Sequence, residues 1–486
     1  GTGLTPRQLD WHCGAEQGRG QCTGRFIEGL GRRIQHRVHG FGGRGRMVLM
    51  ATKGTRRAAL GVTSAALGGV LAACGEGAAP GGAAPAPASG PVKLAYLSNL
   101  AETHPEGAAR LSLLAEYQKE FASKVTIDVE GGKAATGLDK YKTVAAGGSA
   151  PDLGYVAYYE AADMFASGMV IDVDTELKGD KEWVKQRADL YPTMLESSSW
   201  TGKLVSIPMY TNDVAMIYNK GLLDQSGVAA PKEGWTWDDL TAAAAKTAKP
   251  DRISVSMNWG FWLLLLRTSG SSPITPDAKR MTVDSPEMLQ VIEFMQSLIK
   301  AGHAPADGKT ETYREAKNDT VFEFQGPYRI PTLRQANAPA FGVIHAPVNP
   351  KKKVIATTNG GHNVVIFKET SAPRRAAAAQ LARWLNAPHA QAQMCIKATS
   401  LPVSKAAFAA KELQDYLKTD VEMKGFVDLA PNGWRWPALP SWPKINKAVQ
   451  DSVAAILKNE TSPRDGLAKA QRDAQALLDE DVKLMK

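Results

Sequence analysis

From Val92 onward, short apolar runs of strand character alternate with stretches whose apolar residues recur at helical spacing. Val92–Leu97 reads as a strand. Leu111, Leu114, Ala115, Tyr117 and Phe121 then share one face of a helix over Ala108–Phe121, and Val125–Val129 gives a second strand. Asp152–Val156 and Val170–Val173 flank a third helical stretch around Met164 and Phe165. Strands separated by helices predict βαβ units, a mainly parallel sheet and helices on both its faces. Further along, helix starts are marked by their caps. Thr236 and Asp239 have the spacing of a capping box before Leu240–Lys246. Ser285 precedes Pro286 at a first helical position, followed by the apolar face Met288, Val291, Ile292, Met295, Leu298 and Ile299. Ser371 and Ser462 are comparable starts, the latter opening an amphipathic helix through Leu478. With 486 residues and no internal repeat, the chain is long enough for two or three domains.

The formal net charge of +9 suggests a polyanionic partner until it is located. Residues 1–73 hold 11 Lys and Arg against three Asp and Glu, so nearly all the excess lies there. Residues 74–486 hold 47 basic against 46 acidic side chains. A neutral body gives no electrostatic argument for nucleic acid, and none is expected as a partner.

The amino-terminal part reads as an address. Arg56 and Arg57 stand directly before an uncharged, small-residue run from Ala58 to Ala73, too short to span a bilayer but suited to a secretory signal. The paired arginines resemble the twin-arginine export signal. Leu71, Ala72, Ala73 and Cys74 resemble the bacterial lipobox, in which the Cys becomes the lipidated first residue of the mature protein. Residues 47–73 are thus expected to be a signal peptide and 74–91, rich in Gly, Ala and Pro, a flexible tether after Cys74. Residues 1–46 fit neither. They precede Met47 and Met50, where translation is expected to begin; an RNA-binding arm is the other reading. Cys13 and Cys22 make no metal site on spacing alone. Cys395, the remaining cysteine, is expected to be a small core residue.

Four stretches carry a family resemblance. Ile207 to Lys220, with Tyr218, Asn219 and Lys220 closing a strand, leads through Leu222 and Leu223 to Trp235–Leu240. Val321 to Tyr328 contains Gly326 and Pro327 before an aromatic. Asn359, Gly360, Gly361 and His362 open a strand to Lys368, followed by Ala376–Leu385 and by Leu401, Pro402 and Val403. Ile456 to Pro463 precedes the last helix. In order and spacing these resemble the extracellular sugar-binding lipoproteins of ABC importers, the maltose-binding-protein-like solute-binding family. The resemblance implies a two-lobe periplasmic-binding-protein-like α/β fold with hinge strands and a ligand cleft between the lobes. Crossings would fall near Ile207–Asp213, Phe341–Pro350 and Leu401–Phe408. Residues 92–210 plus 347–402 would form one lobe, 211–346 plus 403–486 the other. The function implied is a monomeric, lipid-anchored receptor. It would sit at the outer face of the cytoplasmic membrane or in the periplasm, capture a sugar, expected to be an oligosaccharide, and deliver it to the transmembrane subunits of an ABC permease.

A sugar site needs planar hydrogen-bonding groups for hydroxyls and rings for flat C–H faces. Asn99 and Glu102 follow the first strand. Tyr155, Tyr158 and Tyr159 follow Asp152; if they continue a strand, only one of the adjacent pair 158/159 faces the cleft. Asn212 and Asp213 lie in the first hinge, Asp213 being equally able to cap backbone amides. Asn258 and Trp259 follow the Ile253 strand, with Trp259 preferred over Trp262 as the inward ring. Tyr328 ends the Gly-Pro loop, Gly360 and Gly361 lie where backbone approaches a ligand, and Trp434 and Trp436 resemble the family's late aromatic contact. Trp235 and Trp237 are expected to staple a helix start and Trp384 to be core. His362 has no second ligand at metal spacing, so neither a metal nor a cofactor is expected. Other classes were weighed on residues. The chain lacks H-E-x-x-H, G-x-S-x-G and a Walker-type G-x-x-x-x-G-K-S/T loop, and residues 92–486 lack G-x-G-x-x-G, so no catalytic residue is assigned. A two-carboxylate hydrolase leaves no short signature and stays open. Ferric capture would use Tyr155, Tyr158 and Tyr159. A glycerol-phosphodiester-type ligand would need Arg267, Arg329 or Arg435 to point inward.

Overall fold

The computed structural model describes residues 12–13, 22–23, 90–98, 101–130, 138–250, 252–305, 308, 319–335 and 340–485. The chain divides into two compact units, Gly1–Ala84 and Pro85–Lys486. In the first, the described residues are His12–Cys13 paired antiparallel with Cys22–Thr23. The expected signal peptide with Arg56 and Arg57, the expected start positions Met47 and Met50, Cys74 and the expected tether as far as Ser89 lie outside the described residues.

The described residues of the second unit hold two main sheets, each with its own apolar core, and a two-stranded pair, Ser199–Trp200 with Lys203–Leu204. Ten strands matter here: β1 (Val92–Ser98), β2 (Val125–Glu130), β3 (Leu153–Ala157), β4 (Ile207–Asp213), β5 (Ala215–Asn219), β6 (Ile253–Ser256), β7 (Thr320–Gln325), β8 (Phe341–Ile344), β9 (Thr357–Ile366) and β10 (Gly433–Trp434). The first lobe is built on the order β10-β9-β3-β1-β2, with β4 also on β9; the second on β6-β7-β5-β8. The long β9 is the hub, since β10, β4 and β3 pair with successive parts of it. The chain leaves the first sheet at Val214, between β4 and β5, and returns between Ile344 and Thr357.

Apolar periodicity places the helices. In α1 (Pro105–Glu120), Ala109, Leu113, Leu114 and Tyr117 are buried against the first sheet's core. Farther along, α2 (Trp262–Thr268) is buried on nearly every side, and α3 (Pro286–Lys300) buries Met288, Val291, Ile292, Met295 and Leu298 in the second lobe. Three of the four expected caps form; Ser371 stands at the N-cap position before Ala372–Leu385, but its side chain makes no capping bond. Thr236 accepts from the Asp239 amide while Asp239 accepts from that of Thr236; Ser285 and Ser462 each cap the helix that follows. Each such cap contributes about 1 kcal/mol. Trp235 and Trp237 are buried, their indole N–H groups donating to the carbonyls of His345 and Pro347.

Several expectations change. The sheets are mixed: β1 runs parallel to β2 and β3, and β6 to β7, but β9 is antiparallel to β3 and β4, and β5 to β7 and β8. A chain that passes from one sheet to the other and back brings β5 and β9 in against the direction of their neighbours. Val170–Val173 is no strand. Val170 makes one bridge to Phe367, and Asp172 caps a short helix beginning at Val173. Trp384, in α4 (Ala372–Leu385), sits half-buried on the rim of the core, edge-on to Tyr117, with its N–H on Glu120. Cys395, in α5 (Pro388–Ala398), is fully buried. Beyond them lie α6 (Trp442–Leu457) and α7 (Pro463–Leu484), the latter two turns longer than its apolar spacing suggested because Val482 and Met485 still touch the core. No helix among the described residues is long and apolar enough to cross a membrane.

Candidate functional site

The parallel strands of both sheets end where the chain passes between lobes, the place at which α/β sheets gather ligands. At the end of β3 the backbone turns into a 3-10 helix over Tyr158–Glu160 instead of continuing as strand. That turn separates the two adjacent phenols. Tyr158 goes inward, 2% exposed, while Tyr159 stays half-buried beside Trp436, ring centroids 5.3 Å apart. Trp436 in turn lies 6.2 Å from Trp442 at the start of α6, and Trp434 lies 6.5 Å from the same ring. Tyr159, Trp434 and Trp436 therefore form a half-exposed aromatic arc running from the first lobe onto the second.

Arg435 fixes that arc. Its guanidinium, buried, donates to the carbonyls of Tyr210 (2.8 Å) and Gly360 (3.2 Å) and to Asn363 Oδ1 (3.3 Å), and stacks 4.5 Å from the Tyr158 ring centroid. The Tyr158 hydroxyl accepts from the Trp436 amide at 3.2 Å. Burial pulls the Arg435 pKa down to about 10 and pushes that of nearby Asp213 up to about 8, the latter opposed by the guanidinium. Gly361 makes this geometry possible. Its φ of +118° suits glycine, and a Cβ there would lie 2.3 Å from the Tyr210 carbonyl oxygen and 2.8 Å from the guanidinium.

A second network lies on the other side of β9. Glu106, in the first turn of α1 where the helix dipole favours an anion, accepts from the Tyr210 hydroxyl and, at 3.0 Å, from Asn212 Nδ2. The Tyr210 oxygen lies 2.5 Å from His362 Nδ1. The His362 ring stacks on Tyr155, 4.9 Å between centroids and 7° between planes, with the Arg110 guanidinium 4.5 Å from the Tyr155 centroid. Burial, then the charges of Arg110, His104 and Arg435, pull the His362 pKa down to about 3.

The expected site residues thus separate. Tyr158, Tyr159, Asn212, Asp213, Gly360, Gly361, Trp434 and Trp436 come together along the first half of β9. Tyr155 is fully buried with its ring covered, so it acts through His362. Glu102 is exposed in the loop before α1; that loop lies so close to the helix start that a Cβ on Gly107 would meet the Ala101 carbonyl oxygen at 1.9 Å. Asn258 and Tyr328 stand exposed at the carboxyl ends of β6 and β7, apart from the arc. Trp262 belongs to the second core. Trp259 lies in the short 3-10 turn Trp259–Phe261, and Asn99 is outside the described residues. Of the three tyrosines expected for ferric capture, Tyr155 stacks on His362 while Tyr158 and Tyr159 both contact Trp436, and among the described residues no cluster of His, Cys, Asp or Glu is arranged to hold a metal ion. The arginines weighed for phosphate are engaged by the protein: Arg435 as above, Arg329 with buried Glu323 at 3.2 Å, and Arg267 with the Ser271 carbonyl and the Trp434 face.

Glu106, Arg110 and Tyr210 were not anticipated. The available signal was local: Glu106 and Arg110 sit one turn apart at the start of the first helix, on the side that follows the β1 loop.

The profile of the bacterial extracellular solute-binding protein family matches residues 112–424. A probable ABC transporter-binding protein of Deinococcus radiodurans is 25% identical over 301 residues, 57% of this chain and 70% of its own length. A maltotriose-binding protein of Pyrococcus abyssi is 22% identical over 320 residues, 64% of this chain and 67% of its own. Among solved structures, the cyclic α-maltosyl-1,6-maltose binding protein of Arthrobacter globiformis superposes with a TM-score of 0.71 at 19% identity, covering 80% of this chain and 100% of that one. A glycerophosphocholine complex from Mycobacterium tuberculosis gives 0.67 at 16% identity over 81% and 100%. These likenesses establish the two-lobe fold.

Proposed function

Because the chain belongs to the bacterial extracellular solute-binding protein family, we propose that it is the receptor of an ABC import system and captures a neutral carbohydrate, an oligosaccharide, between its lobes. The observation that carries this reading is the half-exposed arc of Tyr159, Trp434 and Trp436 beside Asn212, with Arg435 and Arg329 already engaged by protein groups. Rings offer area to sugar C–H faces, and the amide offers both a donor and an acceptor to hydroxyls. A phosphodiester would instead call for guanidinium groups turned toward it.

The lobes act as jaws, 92–213 with 347–402 against 214–346 with 403–486, the first crossing falling after Asp213 and not after Tyr210. The segment around Trp434 is the place where they meet, since it pairs with Thr357 and Thr358 of the first sheet and packs on α6. Ligand favours the closed arrangement only by as much as it binds closed better than open. The closed form is what the permease takes up, and no covalent chemistry is involved. Asn99, Glu102, Asn258, Trp259 and Tyr328 complete the walls. The receptor is held at the outer membrane face by a lipid on Cys74, after export through Arg56 and Arg57.

The relative bound to glycerophosphocholine keeps a polyol phosphodiester as the second reading. A thermal-shift series with maltose, maltotriose and glycerophosphocholine separates the two, because a ligand bound by the native state alone raises Tm. A rise with the glucans, left intact after incubation, supports the proposal. A rise with glycerophosphocholine alone overturns it. Cys74→Ser should move the protein from the membrane fraction to the soluble one; a mutant that still pellets with membranes refutes the anchor.

A further inference from the structure

We infer that His362 is a specificity-determining residue of the cleft: its proton sits on Nδ1, so that Nε2 is an acceptor selecting a ligand that donates a hydroxyl. The inference rests on the carbohydrate reading and assigns the chemistry of one of its contacts.

The proton count requires it. The Tyr210 hydroxyl has one hydrogen and three polar neighbours, Glu106 Oε2, His362 Nδ1 and the Tyr155 hydroxyl. A carboxylate oxygen only accepts, so the phenol donates to Glu106. The Tyr210 oxygen must then accept at its contact with Nδ1, which places the imidazole proton on Nδ1. Glu106 is held in this role by the Asn212 amide and, at 3.5 Å, by the Ser400 hydroxyl. The ring is fixed in its plane by the Tyr155 stack, itself backed by Arg110.

A second proton on the ring is disfavoured. The titratable and charged groups around it are His104, Glu106 and Arg110 from the start of α1, Tyr155 from β3, Tyr210 from β4 and Arg435 from the segment after β10. Burial together with the guanidinium groups of Arg110 and Arg435 and the His104 ring outweighs the carboxylate, which lies 4.0 Å from Nδ1. The ring therefore stays neutral across the physiological range.

Position then gives the lone pair its use. His362 pairs with Ala157 and Tyr210, at the end of β3 from which Tyr158 and Tyr159 emerge. The side chain keeps 17% of its surface exposed, and its hydrogen bond to protein among the described residues uses Nδ1. An accessible Nε2 lone pair beside an aromatic arc welcomes a hydroxyl hydrogen and repels an oxygen that only accepts, such as a phosphodiester's. The same atom thus favours a hydroxyl and disfavours the phosphate oxygens of the rival ligand.

Two substitutions separate the ring's two nitrogens. His362→Asn retains a donor near Nδ1 and removes the acceptor at Nε2; His362→Gln reaches the Nε2 position and loses the bond to Tyr210. With maltotriose as probe, calorimetry should show H362N binding about tenfold more weakly and H362Q within about threefold of the wild type. The reverse order, or two unchanged affinities, overturns the inference. Independently, nitrogen-15 NMR of the unliganded protein should show His362 protonated on Nδ1, unprotonated on Nε2 and free of titration between pH 5 and 8, as a pKa of about 3 requires. A proton on Nε2 overturns the inference without any ligand. If the wild type binds no glucan, the carbohydrate reading fails, and the NMR result still decides the tautomer.

Discussion

The two walls of the cleft differ in how their side chains are held. On the first lobe, Glu106, Tyr210, Asn212 and His362 are joined across α1, β4 and β9, and Arg435 ties the segment after β10 to β4 and β9. On the second, Asn258 accepts from the amide of Gly260 two residues on, and Tyr328 donates to Gln325 three residues back; both bonds are local to their loops. A wall built of long-range bonds fixes positions before a ligand arrives, and preorganised groups lose less entropy on binding. A wall of exposed, locally bonded loops adapts to whatever shape the first presents. The first lobe should therefore set which ligand binds, and the second how completely it is covered.

The largest effect that would test this contrast is on Arg435. Arg435→Ala leaves two carbonyls and Asn363 without their donor and should lower stability by about 3 kcal/mol in urea titration. A loss below about 1 kcal/mol would mean that the arc is held by ring packing alone. Trp436→Ala should weaken maltotriose binding by about 1–3 kcal/mol, with a smaller loss of stability than Arg435→Ala. Calorimetry showing the same affinity removes that ring from the site. Next is a pH effect. Glu160, at the end of the Tyr158 turn, is pushed up to about 7, chiefly by burial, against the Ala157 and Leu138 amides that favour its charged form. An unfolded Glu titrates near 4.3. The folded state thus holds the proton more tightly, and this contribution to stability, complete below the unfolded value, is lost as pH rises through 7. Asp213, raised to about 8, acts in the same direction, so wild-type Tm should fall between pH 5.5 and 8 and Glu160→Gln should lessen that fall by on the order of 3 °C. A slope unchanged in the mutant assigns it to another group. The smallest effect is expected at the second wall. Tyr328→Ala should change stability by less than ~0.5 kcal/mol and cost less affinity than Trp436→Ala. An equal or larger loss would reverse the ranking of the walls.

Much of the framework was legible because its signals are local. The α3 face from Met288 to Leu298 follows from spacing, and the Thr236 box from residues three apart. The site was only half legible. Tyr210, Glu106 and His362 are more than a hundred residues apart in pairs and meet only through the register of β4 on β9. Tyr158 and Tyr159 could not be told apart on a strand periodicity, because a 3-10 turn sends them in different directions. Trp384 shows the converse. Helical spacing marked it as core, yet its N–H reaches Glu120 at the surface, so it stops at the rim. Arg435 read as a candidate for an anion; the carbonyls it holds belong to strands assembled from distant sequence.

The Trp434–Trp436–Trp442 group also makes this molecule its own optical gauge. Trp436 lies within energy-transfer range of Tyr159 on one lobe and of Trp442 on the other. Any relative movement of the two, or a pyranose laid on the indole, must alter the quenching and the wavelength of its emission. Capture could thus be followed in real time, in unlabelled protein, as a change in the summed emission of its 11 tryptophans.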